Sequence, residues 1–378
     1  MKSLSFYIHI PFCIKKCNYC DFVSYSNYES LFDLYINSLI YEIIKSKTYY
    51  LNYEIKSIFF GGGTPSIINS EYIRKILNTI FNNFTISNDI EITIEINPKT
   101  IDLKKLKVYK EININRLSFG VQAWQNNILS YLGRVHNIED FVKNFYQARE
   151  IGFNNISVDI MFSLPNQTLQ QWEETLKNII DLNLEHISIY SLIIEKGTYF
   201  YKLYNEGLLN CCNEDLDREM YYLAKSMLEY NSYIHYEISN FAKDGFECYH
   251  NKVYWNCNEY IGYGLGAHSY FKNQRYHNTY DINKYLSLKN NFNIIKEDLE
   301  NLSIEDMYAE YIFMGLRMMR GISKKEFFKK FNKNIYDIYK KEIEYLKSFD
   351  LIYENNDSII LTNKGIDISN VVFEKFIV

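Results

Sequence analysis

Three cysteines, Cys13, Cys17 and Cys20, fall within the run HIPFCIKKCNYCDF. Thiolates at this C-x3-C-x2-C spacing can wrap a single soft metal centre. A structural zinc closes its shell with four ligands, and a complete [4Fe-4S] cluster takes four thiolates. Here Asp21 and Phe22 follow in place of a fourth cysteine. Two arrangements stay open: an iron–sulfur cluster with one iron left for an outside ligand, and a zinc site completed by His9 or Asp21. The other four cysteines, Cys211, Cys212, Cys248 and Cys257, show no comparable spacing.

Further along, Gly61-Gly62-Gly63-Thr64-Pro65 offers backbone N–H and C=O groups to a small polar ligand. Glu95 in EITIEINP, Gln122 in RLSFGVQAW and Asp159 in SVDIMFSLP are polar residues within apolar runs, and Arg134 follows in LGRVH. Burial of such groups without a partner is costly, so they either meet a ligand or satisfy one another, for instance as a Glu95–Arg134 ion pair. A second constellation, His250-Asn251-Lys252-Val253-Tyr254-Trp255, places an imidazole near two aromatics. Such a set can ligate heme iron while rings pack on the porphyrin, or it can be hydrogen-bonded scaffolding. His268, His235 and Cys248 are weaker candidates for the same role. His9 and His136 fall inside the other motifs and are expected to orient their neighbours.

These residues must be positioned by something, and the apolar pattern says what. Strands are expected at Ser5–Ile10, Lys56–Phe60, Ile90–Ile96, Arg116–Val121, Ser157–Phe162 and His186–Leu192. Between them, Leu31–Ile44, Ser70–Phe84, Leu103–Glu111, Glu139–Ile151 and Leu169–Leu182 carry apolar residues at helical spacing. Alternation of this kind predicts βα units around a parallel sheet, six in number, enough for an open, partial barrel. Prolines mark its strand exits. There are four in 378 residues, about 1% against a usual share near 5%. Pro11, Pro65, Pro98 and Pro165 all follow expected strands, at the end of a parallel sheet where ligands bind.

Beyond residue 235 the alternation fades into a Gly-, His- and aromatic-containing stretch. Residues 303–349 are again helical in period, and the segments around Leu351–Glu354 and Ser358–Thr362 read as a hairpin, so the tail resembles a small winged-helix-like module. The 46 acidic and 41 basic residues give a net charge of −5, which offers no general field for nucleic acid. With 47% hydrophobic residues the chain is neither disordered nor a disulfide framework. No signal peptide and no membrane-length apolar run is apparent, and a cytoplasmic protein is expected.

The cysteine triplet at the head of a βα-repeat chain resembles the radical S-adenosylmethionine (radical SAM) family. The resemblance implies a [4Fe-4S] cluster on Cys13, Cys17 and Cys20. Its open iron is chelated by S-adenosylmethionine, whose sulfonium is cleaved to a 5′-deoxyadenosyl radical. It further implies cofactor contacts from Tyr7, Tyr19, Gly62, Gly63, Thr64, Glu95, Gln122, Arg134 and Asp159. YIHIPFC, YCDF, FFGGGTPS, EINP, RLSFGVQ, LGRVH, DIMFSLP and HISIYSLIIEKGT together resemble the oxygen-independent coproporphyrinogen III dehydrogenase group. Phe22 stands where the dehydrogenase proper carries a further cysteine, and only twelve residues precede Cys13. Both departures, and the HN-x-x-YW string, point to the heme-chaperone branch.

That branch implies heme as cargo, with His250 as its ligand, acceptor hemoproteins as partners, and no dehydrogenase activity. The expected divisions are 1–235, the partial barrel; 236–300, a connecting segment carrying HN-x-x-YW; and 301–378, the winged-helix-like domain. The electron donor is not identified by the sequence, and a homodimer is left open. The competing readings are the dehydrogenase, which decarboxylates propionates of coproporphyrinogen III, and an RNA-modifying radical enzyme, which the negative charge argues against.

Overall fold

The computed structural model describes residues 1–288 and 295–377. Six parallel strands form its centre: β1 (Lys2–Ile10), β2 (Tyr53–Gly62), β3 (Thr85–Ile96), β4 (Arg116–Gln122), β5 (Ile156–Phe162) and β6 (His186–Ser191). The helices α1 (Phe32–Ser46), α2 (Ser70–Asn83), α3 (Leu103–Glu111), α4 (Ile138–Ile151), α5 (Leu169–Asp181) and α6 (Glu214–Tyr230) alternate with them. These are the expected units, with boundaries moved by a few residues.

Local chemistry starts each helix. Asn69, Asp102, Asn137, Thr168 and Asn213 occupy the N-caps of α2 to α6, and each side chain accepts a hydrogen bond from a first-turn N–H. In α4 and α5 the capping box is completed by Asp140 and Gln171. Gly152 ends α4 at φ 95°, a left-handed conformation that favours glycine.

The sheet grows at both ends. Beside β6, β8 (Asn240–Ala242) runs antiparallel, and β7 (Ile234–Glu237) pairs antiparallel with β8 at the sheet edge. After helix α7 (Tyr249–Trp255), β9 (Tyr260–Tyr263) returns parallel to β1, followed by β10 (His268–Phe271), β11 (Gln274–Asn278) and β12 (Lys296–Asn301). The strand order is β12-β11-β10-β9-β1-β2-β3-β4-β5-β6-β8-β7. The sheet is therefore an open barrel, and the stretch expected to connect two domains supplies strands to both of its ends. Within that stretch, residues 289–294 lie outside the described residues.

The C-terminal part packs α8 (Ile304–Gly315), α9 (Lys324–Phe331) and α10 (Ile335–Ser348) against a sheet of β13 (Ile322–Ser323), β14 (Ile352–Glu354) and β15 (Ser358–Leu361). This is the winged-helix-like form expected. Arg218 and Tyr222 of α6 reach Asp367 at 3.2 and 2.8 Å, tying it to the barrel.

Candidate cofactor site

Side chains alternate across a strand, and here the alternation divides apolar from polar. In β4, Leu117, Phe119 and Val121 are buried in the core, whereas Arg116, Ser118, Gly120 and Gln122 line a cavity of about 480 Å³ inside the barrel. Tyr7 of β1, Phe59 of β2, Glu95 of β3, Asp159 and Met161 of β5, and Ser188 and Tyr190 of β6 line it too. At its mouth are Cys13, Cys17, Tyr19, Cys20, Gly62, Gly63 and Thr64. The residues nominated from the sequence for metal, cofactor and heme contact thus come together in one space.

The cysteine loop is held by groups of unlike kind. The Cys13 Sγ is 3.5 Å from the Thr64 hydroxyl, and the Arg134 guanidinium reaches the Cys17 Sγ at 3.6 Å. Arg134 also donates to the Gly120 carbonyl at 2.6 Å. A Cβ on Gly120 would approach that guanidinium to 3.2 Å, so the strand must be bare there. Next to it, Gln122 adopts φ 68° at a bulge in the β4–β5 pairing, a strained conformation at a strand exit. Asn18, which carries no signal in the sequence, fixes the loop from outside. Its Nδ2 donates to the Tyr131 carbonyl at 2.8 Å, and its own carbonyl accepts from Phe200 N–H at 2.9 Å.

Burial raises the Cys13 thiol and pushes Cys20 up to about 11. Metal coordination favours the thiolate and offsets that penalty. Of the two groups that could complete a zinc site, Asp21 is exposed and His9 is already occupied. Both ring nitrogens of His9 are engaged, Nδ1 with the Tyr7 hydroxyl at 3.1 Å and Nε2 with the Val23 carbonyl at 2.9 Å. Cys13, Cys17 and Cys20 all line the same cavity.

The Gly-rich loop owes its composition to its neighbours. Gly62 has φ 111°, and a Cβ there would lie 2.5 Å from the His9 ring. On Gly63 it would meet the Phe12 backbone at 2.8 Å. The Gly62 N–H donates to Glu95 at 3.2 Å. Glu95 is pushed up to about 8 by burial and by the facing Asp159 carboxylate, which is itself raised by burial. No Glu95–Arg134 ion pair forms among the described residues. The two groups serve different walls of the cavity.

His250 is buried at the cavity wall. It is 1% exposed, and both ring nitrogens are occupied, Nδ1 by the Ser57 hydroxyl at 2.8 Å and Nε2 by the Tyr254 hydroxyl at 2.9 Å. Its ring stacks on Phe59 at 5.1 Å. In this arrangement it presents no nitrogen to a heme iron. Its partners are a hydroxyl on a distant strand, Ser57, and that of Tyr254 one helical turn on. His136 and His235 bond to the Val121 and Ile238 carbonyls, and His268 to the Tyr280 hydroxyl. Cys248 is buried beside Glu91.

Two acidic residues also serve as anchors. Glu91 of β3 accepts from Tyr249 N–H at 2.9 Å and from His250 N–H at 3.0 Å, seating α7 against the barrel floor. Glu42 of α1 accepts from Gly264 N–H, Asn278 and Tyr285, which ties the β9–β10 loop to the helix layer. The alternation of Glu91 with Glu95 was the only available sequence signal for the first, and Glu42 had none.

The family model of the radical SAM superfamily matches residues 7–179, and that of the HemN C-terminal domain matches 302–368. The chain is 38% identical to a protein of Bacillus subtilis described as heme chaperone HemW, over 100% of this chain and 99% of that one. A heme chaperone HemW of Lactococcus lactis is 35% identical, over 100% and 98%. Among solved structures, the coproporphyrinogen III oxidase HemN of Escherichia coli superposes with a TM-score of 0.87 over 100% of this chain and 90% of that chain, at 21% identity. This last likeness is one of fold. The matches cover both the barrel and the winged module, and the chain belongs to the radical SAM superfamily, in the family of the heme chaperone HemW.

Proposed function

We propose that the protein binds heme and transfers it to acceptor hemoproteins, from a barrel that holds a [4Fe-4S] cluster and S-adenosylmethionine. The observation that carries this reading is the full-length similarity to proteins described as heme chaperones. In this reading residues 1–235 hold the cofactors, 236–300 close the barrel floor and flank, and 301–378 form the winged module.

The residues fit these groups. Cys13, Cys17 and Cys20 would hold the cluster, with Thr64 and Arg134 against two of the sulfurs. Tyr7, Tyr19, Gly62, Gly63, Glu95, Gln122 and Asp159 line the adjoining space and would hold S-adenosylmethionine. When bound, the pair supplies reductive cleavage of a sulfonium. The chain's own part is to exclude water with Phe59 and Met161 and to present Glu95, which is protonated near neutral pH in the unliganded cavity, to the bound groups.

Anaerobically reconstituted protein titrated with heme should develop a Soret band that saturates at a fixed stoichiometry. It should then lose heme to an apo-hemoprotein mixed with it. Failure to bind heme overturns the reading. Turnover of coproporphyrinogen III under reducing conditions would establish the dehydrogenase in its place.

A further inference from the structure

We infer that Arg116 and Asn251 form a carboxylate-binding subsite on the cavity floor, below the level of the cysteines. Arg116 is the first residue of β4, four residues before Gly120, to which Arg134 is anchored. At about 3.3 Å per residue the floor lies roughly 13 Å deeper than that anchor. Arg116 is 2% exposed and lines the cavity, yet it makes no side-chain hydrogen bond or ion pair among the described residues, and its Nε is buried without a partner. Burying a guanidinium in this state is expensive, which argues for a partner of opposite charge.

Asp159, Glu95 and Glu91 are the carboxylates whose charge reaches Arg116, and none of them is within ion-pair distance of its guanidinium among the described residues. Glu91 is bound to the backbone of α7, and its Oε1 also accepts from Cys248. His250 lies between Ser57 and Tyr254, and His186 between Ser157 at 2.8 Å and Tyr236 at 2.8 Å. Burial and the Arg116 charge hold both imidazoles neutral. Arg134, the other arginine of the cavity, is engaged at the rim. Asn251 lines the same space and makes no side-chain hydrogen bond among the described residues. A planar fork of N–H donors with an amide in the same cavity suits a carboxylate, held in bidentate fashion.

This subsite rests on the proposed function for the identity of its ligand. The carboxylate is a propionate of the porphyrin, because the methionine end of S-adenosylmethionine would sit against the cluster at the rim, where Arg134 reaches Cys17. The test compares heme with heme dimethyl ester by Soret titration, and measures S-adenosylmethionine affinity by equilibrium dialysis. It uses the reconstituted wild type, Arg116→Met and Arg116→Lys, the last of which keeps the charge without the fork.

A charged hydrogen bond of this kind corresponds to about tenfold or more in affinity. If the ligand is the propionate, wild type prefers heme to its ester by that factor, and the preference falls toward one in both variants while S-adenosylmethionine binding is retained. If wild type binds heme and ester alike, or if the variants lose S-adenosylmethionine rather than the preference for heme, the propionate subsite is overturned. Unchanged values in either folded variant, judged by melting and cluster absorbance, overturn the subsite. Wild type that binds neither porphyrin overturns the chaperone reading and the subsite together, whereas heme binding without preference over the ester overturns the subsite alone.

Discussion

The Nδ1 of His250 lies 2.8 Å from the hydroxyl of Ser57, and Ser57 donates in turn to Ser5 at 2.8 Å, so the HN-x-x-YW helix is stitched to two strands of the barrel floor. Removing the imidazole leaves Tyr254 unpaired, and Ser57 with only its bond to Ser5, in a closed space. His250→Ala should therefore cost about 2–4 kcal/mol in stability, read as a lower melting temperature. His250→Gln can still bond one of the two hydroxyls and should retain heme binding. A Gln variant that melts like wild type but has lost the Soret shift would show that the imidazole is a ligand after all.

Glu91 is the cap that makes this stitching possible. Replacing it with Gln keeps one acceptor and loses the charge facing the two N–H groups of α7, an expected loss of about 1–2 kcal/mol. The Ala variant should be worse than the Gln. Amide hydrogen exchange should localise the effect, with faster exchange at Tyr249 and His250 and none at the cysteine loop.

Much of this was legible in the sequence, and the failures share one cause. The six strands and five helices between them announce themselves because each strand buries its outer face under a helix, so Ile92, Ile94 and Ile96 or Leu117, Phe119 and Val121 must be apolar. The cysteines, the glycines and Glu95 were visible because their residue types are expensive or useless elsewhere. What the sequence could not show is pairing at a distance. Ser57 and His250 are 193 residues apart, and Glu91 and His250 are 159 apart. Arg116 stood inside the quoted RLSFGVQ string without standing out, because a lysine or arginine at a strand's first residue is ordinarily exposed. Its burial became visible only with the barrel closed around it.

The same distance effect conceals Glu42, whose carboxyl is pushed up to about 7 by burial, partly offset by donors from Tyr285, Gly264 and Asn278. In the unfolded chain it titrates near 4.5. Between those values the folded state keeps a proton that the unfolded state has released, so this group's contribution to stability is full below pH 4.5 and declines as pH rises toward 7. The decline amounts to about 3 kcal/mol. Glu42→Gln should flatten that part of the stability–pH curve in denaturant titrations at pH 5 and pH 7.5. A slope identical to wild type would show that Glu42 is not the group responsible.

Gly62 tests the link between packing and the cluster. At φ 111° and with the His9 ring 2.5 Å from any Cβ, Gly62→Ala must displace either the loop or the histidine that holds the Val23 carbonyl. We expect a loss of about 2 kcal/mol or more, together with reduced iron and sulfide content after reconstitution. Gly207→Ala serves as the control, since nothing lies within 4 Å of its Cβ position, although its φ of 69° costs some strain. Its cluster content should match wild type.

Glu95 offers a pH dependence whose sign can be worked out. With its pKa at about 8, held up by burial and by Asp159, it carries a proton at neutral pH. A cationic ligand bearing hydroxyl donors, such as S-adenosylmethionine, binds the ionised carboxylate better than the acid. Binding must then release a proton, and affinity rises with pH up to about 8 and levels off above it, by at most tenfold per pH unit. Asp159→Asn removes the like charge, lowers the Glu95 pKa and moves the plateau to lower pH. Glu95→Gln should abolish this component while leaving any titration of the ligand itself in place. Dialysis at pH 6.5, 7.5 and 8.5 with wild type and the two variants separates these contributions. Parallel curves for wild type and Glu95→Gln would remove Glu95 from the binding site.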